Sequence, residues 1–275
     1  MTSQAEHAVR FAELHVPGTP LLMPNPWDVG SAVALASLGF EALATTSSGF
    51  AGSLGRLDGA VSRDEAIAHA AALVAAVDVP VSADLENCFG DDPDDVAETV
   101  RQALGAGLAG CSVEDYSQDD GGRIYPFDLA VARVAAAVSV AHGGSVRLVI
   151  TARAENHIRG HDDLADTIGR LQAFQAAGAD VLFAPGVNAL DDIRRLVESV
   201  DRPVNVIGAG SAPSVAELAS AGVARISVGG SFFYAAMGAL ADAANELRDA
   251  GTYAGPTASI KSGRVLAGRA FSSGP

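Results

Sequence analysis

The stretch GAGLAGCSVEDYS, residues 105–117, carries one repeat of the fold: a glycine-closed helix end, an apolar strand and an acidic strand tip. Glycine accepts the left-handed backbone that ends a helix, so the chain can turn straight back into a sheet. The same junction recurs in SLGFEAL (37–43), AAGADVLF (176–183) and SAGVARISV (220–228). Strand candidates number eight, at 20–24, 41–46, 80–84, 109–114, 147–152, 180–185, 203–208 and 224–229. Between them run alanine-rich stretches such as 62–77, 92–107, 163–178 and 214–222. Their apolar residues recur at three- and four-residue steps, as one-sided helices require. Ser62, Asp92 and Ser214 stand where helix N-caps belong. Eight strand-then-helix units predict an α/β fold, a closed (β/α)8 TIM-type barrel spanning 1–275 as a single domain. A doubly wound open sheet is the alternative, but MPNPWDVGSA after the first strand lacks the G-x-G-x-x-G turn. Residues 240–275 read as a C-terminal helix and tail that pack on a neighbouring subunit.

Composition narrows the partners. Hydrophobic residues make up 49% and charged residues 19%, enough for a sizeable core. The formal net charge is −15, and no basic patch is visible, which argues against nucleic acid and anionic membranes. No apolar run reaches the ~18 residues of a membrane span, and the N-terminal stretch is no signal peptide, so the cytoplasm is expected. Cys88 and Cys111 lack zinc-type spacing and read as small packing residues. His157 and His161 have i, i+4 spacing but lie in a loop-like segment, which argues against a zinc site.

In a parallel barrel the residues that follow each strand gather on one rim, and that rim hosts the chemistry. Asp84 and Glu86, Glu114 and Asp115, and Arg153 and Glu155 are then expected on one face, with Thr46, Ser47, Ser48 and Gly49 beside them. Clustered carboxylates call for a positive charge among them. Oxygen donors without a Cys or His cluster favour a hard divalent cation, Mg²⁺ or Mn²⁺. Arg153 offers a planar donor fork for a substrate carboxylate. The segment 117–126, with glycines at 121 and 122, reads as either a lid or a plain flexible loop, from which Arg123 or Tyr125 would reach a bound molecule if it closes.

At these residues the sequence resembles the isocitrate lyase/phosphoenolpyruvate mutase superfamily over roughly residues 10 to 240. The pieces that carry the resemblance are LLMPNPWDVGSAVALASLGFEALATTSSGFA, VPVSADLENCFG, AGCSVEDY, ITARAEN, AFQAAGADVLFAPGV and GVARISVGGSFFYAAMGAL. The resemblance implies a barrel, often a tetramer that exchanges its last helix. It implies Mg²⁺-dependent cleavage or formation of a C–C or P–C bond in a small 2-oxo or 2-hydroxy carboxylic acid, through an enolate-like intermediate. Ser48, Gly49 and Phe50 match its carboxylate-binding segment, and Asp58 matches an acidic residue near the metal. Asp84 and Glu114 match metal-shell carboxylates, and Arg153 matches the substrate-binding arginine. Asp58, Glu114 and Arg153 are therefore the catalytic candidates, and Thr46–Phe50 with Arg153 the substrate-binding ones. The expected partners are a small-molecule carboxylate substrate and further copies of the chain, as a dimer or tetramer.

Three departures stand out. The usual D-A-D-T-G-x-G reads SADLENCFG, with Ser82 in place of the first aspartate and Glu86 two residues after Asp84, so the resemblance leaves Asp84, Glu86 and Glu114 as the expected metal ligands. The K-[KR]-C-G-H loop of the lyases reads YSQDDGGRIYPFD, without its cysteine. The N-M-T-E segment reads NVIGAGSAPS. Alternatives therefore stay open: a barrel that binds a small acid without catalysis, or a hydrolase of oxaloacetate or phosphonopyruvate type.

Overall fold

The computed structural model of the chain describes residues 2–118, 121–255 and 257–272. Eight parallel strands form one sheet: β1 (Leu21–Met23), β2 (Leu43–Ala44), β3 (Val81–Asp84), β4 (Gly110–Glu114), β7 (Val149–Arg153), β8 (Val181–Phe183), β9 (Val204–Ile207) and β10 (Arg225–Ser227). Their order is β1-β10-β9-β8-β7-β4-β3-β2, which brings β1 back beside β2. The Ala44 N–H donates to Pro24 O at 3.2 Å across that seam. Asn25 clamps the same edge. Its Nδ2 donates to Thr45 O (2.9 Å), and its Oδ1 accepts from the Val228 and Gly229 N–H groups (2.8 and 2.9 Å). The expected barrel is present. Seven strand candidates from the sequence contain a strand, and the eighth, 147–152, stops one residue short of the end of β7 at Arg153.

Outward strand residues such as Val81, Ala83, Cys111, Val113 and Ile150 are buried under α2 (Val29–Ser37), α4 (Arg63–Ala76), α5 (Pro93–Gly105) and α6 (Phe127–Ala141). Ala152, Leu182, Val204, Val206 and Ile226 do the same under α7 (Leu164–Ala176), α8 (Leu190–Glu198) and α9 (Val215–Ser220). Both cysteines lie in the first cluster, as packing residues should. Helix α1 (Gln4–Glu13) closes the N-terminal end of the barrel, where Phe11 packs with Leu21, Val149 and Val181. Gly110 leaves room for that ring: a Cβ there would sit 2.7 Å from Phe11 Cε1.

Capping follows the sequence at Ser62 and Ser214, each in a reciprocal box with Glu65 or Glu217. Asp92 caps by position only. Its position is borne out, since it is the N-cap of α5, but its side chain makes no cap bond, and Pro93 follows it with the preset φ of a first helical residue. Helices α10 (Ser231–Ala250) and α11 (Thr257–Phe271) form the extension, and α11 lies against α2 of its own chain. No helix among the described residues is long and apolar enough to cross a membrane.

Beneath the barrel, His15 is buried with Nδ1 2.7 Å from Phe11 O and Nε2 3.2 Å from Arg225 Nη1. These partners fit a neutral ring that donates from Nδ1 and accepts at Nε2. Burial, and then the charge of Arg225, pull its pKa down to about 3. The unfolded chain takes up this proton near pH 6.5 and the folded chain does not, so stability falls as pH drops from there toward 3. His15→Gln should flatten this part of the pH–stability curve by up to about 1.4 kcal/mol per pH unit, measured by urea unfolding.

Candidate active site

The C-terminal tips of β3, β4 and β7 meet as the sequence predicts. Asp84, Glu114 and Arg153 point inward from adjacent strands, in register as Asp84↔Ser112 and Glu114↔Arg153. Arg153 is the hub. Its Nη1 lies 2.8 Å from Asp84 Oδ1, and its Nη2 lies 3.0 Å from Glu114 Oε2 and 2.9 Å from Glu155 Oε1. Arg159, from the short turn His157–Arg159, stands over the Tyr116 ring at 3.7 Å and reaches Glu155 Oε2 at 3.4 Å. Asp84 Oδ2 also accepts from the Ser47 hydroxyl (3.1 Å), and Oδ1 from the Ser112 hydroxyl (3.3 Å).

Glu86 is brought to this rim by a strained loop. Glu86, Cys88 and Phe89 have φ of 51°, 62° and 60°, a left-handed backbone that non-glycine residues rarely adopt. The buried Arg133 holds the loop by donating to Gly90 O (2.6 Å), Asp91 O (2.5 Å) and Asn87 O. Glu86 Oε2 accepts from Gln118 Nε2 at 3.1 Å.

Negative charge is in excess here. The carboxylates of Asp58, Asp84, Glu86, Glu114 and Glu155 surround the guanidiniums of Arg153 and Arg159. Burial, followed by the charges of Asp84 and Asp58, pushes Glu86 up to about 8. Burial raises Glu114 well above the usual carboxylate range, against the pull of Arg153. Asp58 is exposed on its outer side. Desolvation of the carboxyl against the rim, and then the charge of Asp84, nonetheless raise its pKa. A hard divalent cation would relieve this crowding, so the donor set fits Mg²⁺ chemically. Among the described residues no three His, Cys, Asp or Glu side chains form a ready-made metal cage. Asp84 and Glu114 are instead turned onto Arg153.

Some expected residues sit elsewhere. Asp115, next to Glu114 on an extended chain, points the opposite way. It accepts from the Glu155 N–H (2.8 Å) and pairs with Arg170 (3.0 Å), bracing the wall rather than facing the mouth. Burial pushes it up to about 6, against those two donors. Thr46 caps α3 (Ser47–Ser53), placing the Ser47–Phe50 backbone at the rim, while the Phe50 ring stacks on His69 at 3.8 Å. In the segment 117–126, Asp119 and Asp120 lie outside the described residues. The short strands β5 (Tyr116–Ser117) and β6 (Arg123–Ile124) pair there. Tyr125 is fully buried, donates to Asp91 Oδ1 (2.6 Å) and accepts from Asn87 (2.9 Å), so it does not reach the mouth. Arg123 pairs with Asp91. The expectation missed Gln118, Arg159 and Tyr116 at the rim, and Asn25, Asn205 and Arg225 inside the barrel.

Below the rim lies a cavity of about 90 Å³. Its lining includes Asp84 and Arg153, the hydroxyl residues Thr45, Ser82, Ser112 and Thr151, and Arg225.

The phosphoenolpyruvate phosphomutase family model matches residues 11–248, most of the chain and all of this site. The chain belongs to that family. A phosphoenolpyruvate phosphomutase family member is an enzyme of the lyase or phosphonomutase class within the isocitrate lyase/phosphoenolpyruvate mutase superfamily. A crystal structure from Burkholderia cenocepacia J2315, provisionally classed as a lyase/mutase, is 49% identical to this chain. It superposes with a TM-score of 0.89 over 93% of this chain and 92% of its own. An uncharacterized protein of Mycobacterium tuberculosis is 35% identical over 241 residues, 87% of this chain and 89% of the relative. The 2,3-dimethylmalate lyase of Eubacterium barkeri is 28% identical over 260 residues, covering 90% of this chain and 88% of the relative.

Proposed function

We propose that this family member is a Mg²⁺-dependent lyase, able to use Mn²⁺, that cleaves or forms a C–C bond in a small 2-oxo or 2-hydroxy acid through an enolate-like intermediate. The observation that carries the reading is the convergence of Asp84, Glu86 and Glu114 around Arg153, with more negative charge than the two arginines offset. Asp84, Glu86 and Glu114 would hold the cation. When bound, it would neutralise negative charge developing on a substrate oxygen.

The chain's own groups supply the rest. The Ser48–Phe50 backbone beside the rim receives a carboxylate. Arg153, partly released from Asp84 and Glu114 when these turn to a cation, orients a substrate oxygen through its planar fork. Asp58, whose carboxyl is raised above the ordinary range by burial and then by the charge of Asp84, can hold and pass a proton.

Turnover of a panel of 2-oxo and 2-hydroxy diacids tests the reading, with Mg²⁺, with Mn²⁺ and with EDTA. Metal-dependent release of a 2-oxo acid from at least one substrate is expected. Tight binding across the panel without turnover would instead make the protein a small-acid-binding barrel, the outcome that the Ser82 and loop departures favour. Helix α10 exposes Phe232, Tyr234, Met237, Leu240 and Leu247 along one chain, which supports a homo-oligomer. Native mass spectrometry should show a dimer or tetramer.

A further inference from the structure

The second guanidinium inside the barrel has no acidic partner. Arg225 is 3% exposed, as deep as Asp115 and Glu114, yet its contacts are all neutral. Nε donates to Asn205 Oδ1 (2.9 Å), and Nη1 donates to Thr151 Oγ1 (3.0 Å) and faces the neutral His15 (3.2 Å). Among the described residues no salt bridge reaches it, and Nη2 donates to no protein group. The other buried arginines differ. Arg153 meets three carboxylates, Arg170 meets Asp115 and Asp166, and Arg133 is wrapped by carbonyls with its guanidinium 4.2 Å from the Tyr125 ring centre.

Burying a cation without a counter-charge costs several kcal/mol by general experience with buried ions, so such a group is retained where an anion can reach it. Arg225 can be reached, because it lines the cavity that Asp84 and Arg153 also line. Thr45, Ser82 and Ser227 line the walls with hydroxyls that donate to no protein group among the described residues and can solvate an anion, while the Ser112 hydroxyl donates to Asp84. Two of these features are legible as a pattern: Arg225 and Ser227 point inward from β10, and Ile226 between them packs outward.

We infer that the Arg225 layer is a second, deeper anion position that takes one carboxylate of a dicarboxylate substrate, whose other end stays at the rim. The inference rests on the small-acid reading above and narrows it to diacids. Burial, and then the charge of Arg153, pull Arg225 down to about 9, and a carboxylate lying between the two guanidiniums relieves both effects. The diacid enters one carboxylate first, with its reacting carbon left level with Asp84 and Glu114.

The test uses the intact chain in EDTA, so that no metal or turnover is needed. Malonate, acetate and chloride are titrated by calorimetry into the parent protein, Arg225→Met and Ser82→Val. Ser82→Val narrows the passage without touching any hydrogen bond of Arg225, so it keeps the test valid if Arg225→Met folds poorly. Malonate is expected to bind the parent, and both variants should weaken it about tenfold or more, the loss typical of a charge-assisted hydrogen-bonded pair. Acetate and chloride should bind at least about tenfold more weakly than malonate. Equal malonate affinity in parent and variants, or no binding to the parent, overturns the inference. Chloride binding as tight as malonate and dependent on Arg225 also overturns it, because the position then belongs to an inorganic anion. A diacid panel that is never turned over, with Arg225-dependent malonate binding intact, removes the lyase reading and leaves this one standing.

Discussion

Arg153→Met is expected to lose about 3–5 kcal/mol of unfolding free energy near pH 7.5, the usual consequence of removing one side of a buried ion pair. Arg153 is 14% exposed at its side chain, so solvent screens little of the loss. The variant strands three carboxylates, of which Glu114 and Glu155 are nearly or fully buried. Their remaining cation is Arg159, 3.4 Å from Glu155 but 4.0 Å from Glu114. The loss must therefore depend on pH. Without Arg153, Glu114 is raised still further by burial, and a group raised in the folded state stabilises that state at low pH and ceases to as pH rises through its folded value. Urea unfolding at about pH 5 should show a smaller deficit than at about pH 7.5. Mg²⁺ should restore part of it, because carboxylates freed from the arginine can turn onto a cation. Parent-like stability at neutral pH would mean that these contacts do not hold the barrel mouth.

The architecture was legible because a barrel writes its repeat into the chain. A glycine after the helix and then an apolar run recur before and through β2, β4, β7, β8 and β10, and the strands are where those signals place them. The convergence of Asp84, Glu114 and Arg153 follows from parallel direction alone. What failed did so for want of side-chain direction. Asp115 is one residue from Glu114, and on extended backbone that single step turns it from the mouth to the Arg170 side. Tyr125 was read as part of a loop, but Asp91, Asn87 and Arg133 gather around it and make it core. Arg159 sits in a segment that reads as featureless loop, and its place beside Glu155 depends on one 3-10 turn. The polar interior had a usable signal that went unread. Ser82 with Asp84, Ser112 with Glu114, Thr151 with Arg153, and Arg225 with Ser227 share parity on their strands, so both members of each pair point inward. A TIM barrel interior is ordinarily filled by bulky branched residues, and hydroxyls and an arginine there leave space and polarity for a bound molecule.

Asp84→Asn should separate catalysis from folding, in contrast to Arg153→Met. Asparagine keeps the shape. The Ser47 and Ser112 hydroxyls now donate to different carboxylate oxygens, at 3.1 and 3.3 Å; the amide oxygen keeps one of these bonds, and the amide NH2 donates to the other hydroxyl. Arg153 retains Glu114 and Glu155. Removing one negative charge also relieves Glu86 and Asp58, for both of which Asp84 is the second cause of the upward shift. The stability change should therefore be within about 1 kcal/mol, with the lost ion pair and the lost repulsion of opposite sign. Activity should behave otherwise. An amide oxygen is a poorer donor to a hard cation than a carboxylate, and it no longer offers Arg153 a charge to exchange for the substrate's. On whichever diacid the panel identifies, kcat/KM should drop about 10²- to 10³-fold, comparable to removing one preorganised charge-stabilising group, and the Mg²⁺ concentration for half-activity should rise. Ser47→Ala, which loses one donor to the same oxygen, should cost about tenfold or less. Parent-like turnover by Asp84→Asn would exclude β3 from the chemistry. A variant as unstable as Arg153→Met would instead show that Asp84 is required as a counter-charge, and that the negative excess at the mouth is smaller than the contacts imply.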